Sequence, residues 1–145
     1  MKYFLAFTIA LATAFVLAGA DPAAPVTYIG HDKVAEALAK GGSLVTQKDL
    51  TVSGAHRAMA GQVELHETET DIIYVTDGEA TFLTGGTMVG GKVSKPGQML
   101  GSDIQGGETR HLTKGDVIVV PAGVPHWFKE VPKSVSYYVV KVLKP

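Results

Sequence analysis

From residue 43 onward, apolar positions fall in short runs that alternate with polar ones and are cut by turn residues. A period of two over about four to eight residues is the signature of a half-buried strand. The pattern predicts strands at 43–46, 50–57, 62–66, 72–76, 80–84, 110–112, 117–120, 127–130 and 135–142. The breaks have the right chemistry for reversals. Asp77-Gly78, Gly85-Gly86, Gly90-Gly91, Pro96-Gly97, Gly106-Gly107 and Lys114-Gly115-Asp116 each permit positive φ or fix a tight turn. Residues 85–109 are Gly-rich and weakly patterned, and read as a long hairpin or loop over one end. Before the strands, Val34, Ala35, Leu38 and Ala39 recur at helical spacing within 31–40. His31 and Asp32 stand at the start of this helix, and Gly41-Gly42 ends it. Many short strands with one short helix predict an all-β sandwich or jelly-roll barrel.

The first twenty residues follow another logic. Met1-Lys2 gives a basic start, residues 3–17 are almost wholly apolar, and Ala18-Gly19-Ala20 supplies small residues at a cleavage site. This is the pattern of a secretory signal cleaved after Ala20, so the chain is expected to be exported, periplasmic or extracellular, with no stable membrane anchor. An uncleaved anchor is the competing reading, since the run is nearly long enough to span a bilayer. The expected organisation is a signal at 1–20, a leader with a short helix at 21–49 and a barrel at 50–145. The absence of Cys excludes disulfides, thiol chemistry and a lipidated start. Hydrophobic residues at 46% and charged residues at 19% place the chain among globular proteins. A net charge of -1 without a basic block argues against nucleic-acid binding.

Two segments concentrate chemistry. In a strand, Glu64 and His66 point to the same face. A short turn over 67–70 would bring Asp71 back beside them, and Glu67 and Glu69 read as solvated members of that turn. Asp71 shares its parity with Ile73 and Val75, so its face points inward. His126 shares a face with Phe128 on a later strand, after Pro121-Ala122-Gly123. Carboxylates and imidazoles inside an apolar barrel need partners, and a divalent cation would satisfy them together.

With these residues in place, the chain resembles the cupin superfamily, in particular its small single-domain barrels. Gly115, Asp116, Pro121, Gly123 and His126 stand at the spacing of the second cupin motif, with Glu130 where Asn is usual. The first motif usually reads His-x-His, then Glu, then Gly; this chain has Glu64-x-His66, then Asp71, then Gly78. The resemblance covers about residues 50–142. It implies a jelly-roll fold and a metal site of Glu64, His66, Asp71 and His126. Two imidazoles with two carboxylates make a hard, anionic set suited to Mn, Fe(II), Zn or Ni.

The resemblance also implies a small metal-dependent enzyme of dioxygenase, decarboxylase, isomerase or lyase type, acting on a small oxygen-rich substrate. It selects no reaction and no catalytic residue. Glu64 or Asp71 could serve as a base if not ligating, with His56 as proton donor. A noncatalytic small-molecule or metal-binding module is the alternative, and an empty barrel that binds a partner is a third. His56 and Phe128 are substrate-pocket candidates. The parity of His56 and Arg57, and of Arg110 and His111, is not fixed by the pattern. Trp127 is expected to pack outside, and Tyr137 and Tyr138 to divide between inside and outside. The apolar last strand and the family habit point to a homodimer. No Gly-x-Ser-x-Gly, phosphate loop or dinucleotide fingerprint is present.

Overall fold

The computed structural model describes residues 25–143, so the expected signal at 1–20 lies outside the described residues. The described residues begin with a leader to Gly30, form α1 (His31–Lys40) and continue through twelve strands. These are β1 (Gly42–Thr46), β2 (Leu50–Arg57), β3 (Val63–His66), β4 (Glu69–Thr84), β5 (Thr87–Val89), β6 (Lys92–Lys95), β7 (Gln98–Gly101), β8 (Asp103–Gln105), β9 (Glu108–Thr113), β10 (Val117–Val120), β11 (His126–Glu130) and β12 (Val135–Leu143). All of the pairings are antiparallel.

Strand β4 organises the barrel. Its first half pairs with β10 on one side and β12 on the other, and β2 and β1 extend that sheet. Its second half pairs with β9 and β11, and β3, β7 and β6 follow beyond β11. The sequence pattern predicted two strands separated by a turn at Asp77-Gly78. Instead one strand of 16 residues crosses from sheet to sheet. Gly78 makes the crossing possible. Its φ is 76°, and a Cβ there would stand 2.0 Å from the Ser134 carbonyl oxygen. A side chain would clash with β12 and strain the backbone.

Between the two sheets lies the main core. Ile73, Val75, Ala80, Phe82, Leu112, Val120, Phe128, Val135 and Tyr137 pack there. The predicted division of the tyrosines holds: Tyr137 is buried and Tyr138 faces the other way, partly exposed. Residues 85–109, expected as a hairpin or loop, form nested hairpins, with β5 paired to β8 around β6 and β7. Ile104 and Met88 from this flap join Val63 and Leu83 in a second apolar cluster. Trp127 packs against that cluster, and its indole N–H donates to the Gly61 carbonyl at 2.7 Å. Its apolar surface is therefore occupied within the subunit. Helix α1 packs on β2 through Ala37 over Gly54, where a Cβ would come within 2.6 Å of Ala37. Its N-cap is Gly30, without a side-chain cap, while Asp32 lies in the first turn.

The two glycine environments allow a direct test. Gly78→Ala combines positive φ with a backbone clash and should cost about 2 kcal/mol or more. Gly106→Ala has the same φ of 76° but open space around it, and should cost only about 1 kcal/mol. Urea unfolding of the two variants should rank them in that order, and equal losses would contradict the strand-crossing role of Gly78.

Candidate metal centre

The site is assembled from cross-strand neighbours. His126 on β11 lies directly opposite Glu64 on β3. Asp71 on β4 lies directly opposite Lys141 on β12. His66 ends β3, and its carbonyl accepts a 2.7 Å hydrogen bond from the Gly123 N–H. The Pro121-Ala122-Gly123 turn is thereby tied to the end of β3, with Ala122 N–H also reaching Thr70 Oγ1 at 3.4 Å. Gly123 takes φ 82° to make this turn. The other half of the same motif is structural. Gly115 N–H donates to the Val75 carbonyl, and the Asp116 carboxylate accepts from Thr113 N–H.

Four side chains from this framework, Glu64, His66, Asp71 and His126, come together. His66 Nε2 lies 3.5 Å from Glu64 Oε2 and 3.5 Å from Asp71 Oδ2. His126 Nε2 lies 3.7 Å from the same Asp71 oxygen. His66, Asp71 and His126 are no more than 5% exposed. Two overlapping trios, Glu64 with His66 and His126, and His66 with Glu69 and Asp71, bring ligand atoms within 4.8 Å of one another. Asp71 joins the first trio through its approach to both imidazoles.

Glu69 and Lys141 were not anticipated as site residues. Glu69, expected to be a solvated turn residue, instead lies half-buried at the start of β4. Its Oε2 is 3.6 Å from His66 Nδ1 and 3.0 Å from Lys141 Nζ. Lys141 also donates to Asp71 Oδ1 at 2.7 Å. The parity of β12 carried a signal for Lys141, which shares the inward face of Tyr137 and Val139. Nothing in the 67–70 segment distinguished Glu69 from Glu67.

Arg57 is the second cation. It points inward and donates from Nε to the Tyr137 hydroxyl at 2.8 Å and from Nη2 to Glu64 Oε1 at 3.3 Å. The guanidinium also stands over the Phe128 ring, 5.0 Å from its centroid. His56 takes the opposite parity. It is exposed, with Nδ1 2.9 Å from Ser136 Oγ, and so is not a pocket residue as the sequence reading proposed. Phe128 does line the pocket. Arg110 and His111 pair with Glu108 and Glu79 away from it. Glu130 accepts from Thr81 and is also outside it.

A consistent division of labour follows. Glu64 and Asp71 each give one oxygen to a basic side chain and turn the other toward the imidazoles. Burial would raise the Glu64 carboxyl, but the adjacent His66 ring and the charges of His126 and Arg57 outweigh it and hold it at about 2. Burial pushes His126 below 6.5, which favours the neutral ring that a metal requires. Burial would also raise Glu69, but Lys141 pulls it down. The fit to a cation is sharpest at His66. Both of its ring nitrogens are buried without a hydrogen-bond partner. Its nearest carboxylate oxygens are 3.5 to 3.6 Å away, beyond good hydrogen-bond reach. Buried polar atoms without partners are costly and call for a ligand.

A family model described as Cupin matches residues 42–145. The chain belongs to the cupin family. No curated protein matches it. Among solved structures, the chain is similar to the cupin domain of Cnp3 from Schizosaccharomyces pombe, at 13% identity and a TM-score of 0.52, covering 71% of this chain and 59% of that one. It is similar to BH2720 from Bacillus halodurans, at 14% identity and a TM-score of 0.52, covering 71% and 69%. It is also similar to the DMSP lyase DddQ from Ruegeria pomeroyi DSS-3, at 19% identity and a TM-score of 0.47, covering 66% and 39%. The chain spans between 51% and 69% of the length of several such structures. At these identities the likeness concerns the fold alone.

The depressed groups set the pH response of the metal-free cupin. As pH falls below about 6.5, the unfolded chain protonates His126 before the folded chain does, so stability drops. Glu64 contributes stability that is fully present above 4.5 and is lost as pH falls toward about 2. Thermal denaturation across pH 7 to 2 should show the midpoint falling through both windows. Glu64→Gln should flatten the lower one, and an unchanged acid limb in that variant would rule out this assignment.

Proposed function

We propose that this cupin holds one divalent metal ion through Glu64, His66, Asp71 and His126 and uses it on a small oxygen-rich substrate. The supporting observation is the buried His66 ring, which has no partner on either nitrogen and faces two carboxylate oxygens. Two imidazoles and two carboxylates suit Mn, Fe(II), Zn or Ni. When bound, such an ion would polarise a substrate oxygen as a Lewis acid, or support oxygen chemistry if it is iron.

The surrounding residues have separate tasks. Lys141 and Arg57 orient Asp71 and Glu64 so that one oxygen of each remains available. Glu69 faces the far nitrogen of His66 and favours presentation of Nε2 to the centre. Phe128, Ile73 and Val139 give the cavity an apolar wall that limits water. Tyr137, unlike His56, presents a hydroxyl beside the cavity, and burial pushes its phenol up, so it stays protonated at neutral pH. The reaction belongs to the dioxygenase, decarboxylase, isomerase or lyase range. A noncatalytic binding module would use the same centre without turnover.

Purified protein should bind about one divalent ion per chain, measured by elemental analysis and calorimetry. His66→Ala and His126→Ala should each weaken binding by about a hundredfold or more. Metal-dependent turnover lost in both variants would assign an enzyme. Full metal affinity in either variant would overturn the ligand set.

The same reading places the protein outside the cytoplasm, on the strength of Met1-Lys2, the apolar run at 3–17 and Ala18-Gly19-Ala20. It also pairs two copies, but not through the last strand that suggested it, because β12 is hydrogen-bonded on both sides, to β2 and β4. Strand β10 is a sheet edge with Val117 and Val119 exposed, beside exposed Tyr74 on β4. An unpaired apolar edge suits a two-fold antiparallel partner. Light scattering should give a dimer mass that falls to the monomer value in the double variant Val117→Glu and Val119→Glu. A wild-type monomer at micromolar concentration would contradict the pairing.

A further inference from the structure

The glycines of the flap serve two purposes. Gly90 takes φ 64° and turns the chain between β5 and β6. Gly91 and Gly101 have no positive φ that would call for glycine. Space is what excludes a side chain at these two positions. A Cβ at Gly91 would stand 2.9 Å from Met88 Sδ and 3.1 Å from Met99 Cε. A Cβ at Gly101 would stand 2.6 Å from Met88 Cγ and 3.0 Å from Met88 Sδ. The two absent side chains leave a slot, and the Met88 thioether fills it.

This slot is where the β5–β8 arm meets the barrel. Strands β5 and β8 form a sheet of their own, with Met88 directly opposite Ile104. Gly101, one wall of the slot, lies directly opposite Val63 on β3. Met88 and Ile104 pack together with Val63 and Leu83, and Trp127 packs on the same cluster. Apolar contact around one methionine therefore fastens the arm.

A methionine in that role has a property that Leu or Ile lacks. Oxidation turns its flexible apolar chain into a polar one. Met88 is only partly buried and Gly91 beside it is exposed, so a small oxidant can reach the sulfur.

We propose that Met88 is an oxidation site, and that its conversion to the sulfoxide by hydrogen peroxide releases the β5–β8 arm from the barrel. The sulfur lone pair attacks one peroxide oxygen, an S–O bond forms and the O–O bond breaks. The proton on the transferred oxygen passes to the departing hydroxide, which leaves as water. Sulfur loses two electrons and the peroxide gains them. The new oxygen arrives where even a methyl group on Gly91 or Gly101 has no room. Keeping it seated would also strip a polar group of water against Val63, Leu83 and Ile104, which is costly. The side chain leaves the slot, and the arm loses its anchor. Met59, 74% exposed and outside the flap, oxidises without this effect.

Hydrogen peroxide treatment of the full chain, with peptide mass mapping, follows each methionine separately. Met88 should oxidise more slowly than Met59 but to completion. Its sulfoxide should speed amide hydrogen exchange at residues 87–89 and 103–105 by about tenfold or more. Trp127 emission should shift to the red in step with Met88 and not with Met59. Sulfoxide reductases for both epimers should restore exchange and emission together. Met88→Leu keeps an apolar side chain of similar size and removes the sulfur. After the same peroxide treatment its exchange and emission should match those of the untreated variant. Met88 left unoxidised while Met59 is fully converted would overturn the site. Met88 sulfoxide with unchanged exchange in the arm would overturn the latch. Arm release by peroxide in Met88→Leu would assign the effect to Met99 and overturn the role of Met88.

Discussion

The interaction on which the rest depends is the enclosure of His66 among carboxylates with no hydrogen-bond partner for either ring nitrogen. A buried imidazole in that state costs free energy unless something occupies the space between it and its neighbours. The surrounding structure treats it as a fixed point. The Gly123 N–H holds its backbone, Glu69 faces one side of its ring, and Glu64 and Asp71 face the other. The antiparallel register then brings His126 opposite Glu64 and Lys141 opposite Asp71. Two cross-strand pairs and one strand end are enough to build the centre.

The barrel supplies rigidity for this arrangement by an economical device. Strand β4 belongs to both sheets, so Asp71 at its start and Phe82 near its end are parts of one continuous strand. The core behind the site, from Ile73 through Phe128 to Tyr137, is shared between the sheets. Phe128 and Tyr137 stack with centroids 4.8 Å apart, and Arg57 lies over the Phe128 face. Arg57, which lines the pocket, is therefore braced by the aromatic core as well as by Glu64. Such bracing holds a charged group in place before a ligand arrives.

Much of this was legible in the sequence because β-strand parity is strict. Asp71, Ile73 and Val75 had to share a face, and one face of that strand had to be inward. Parity also put Glu64 with His66 and His126 with Phe128, and the resemblance to cupins implied that these residues and Asp71 form one set. Three features were not legible, each for a physical reason. Asp77-Gly78 has the composition of a hairpin turn, yet tertiary pairing on both sides turns it into a kink within a strand. The choice between His56 and Arg57 as the inward residue depended on the register of β2 against β12, which places His56 opposite Ser136 and Arg57 opposite Val135. Glu69 looked like its neighbour Glu67, and only the position of Lys141 across the sheet draws it inward. The residues left unassigned, Arg57, Glu69 and Lys141, are the charged neighbours of Glu64, His66 and Asp71, and they set the electrostatic balance of the site.

The central claim concerns what occupies the space around His66. X-ray absorption of the zinc-loaded protein reports the atoms bound to the ion directly. Two imidazole nitrogens, together with carboxylate oxygens at about 2.0–2.2 Å, are expected in the first shell. A shell without imidazole scattering, or protein that takes up no zinc at all, would contradict the account.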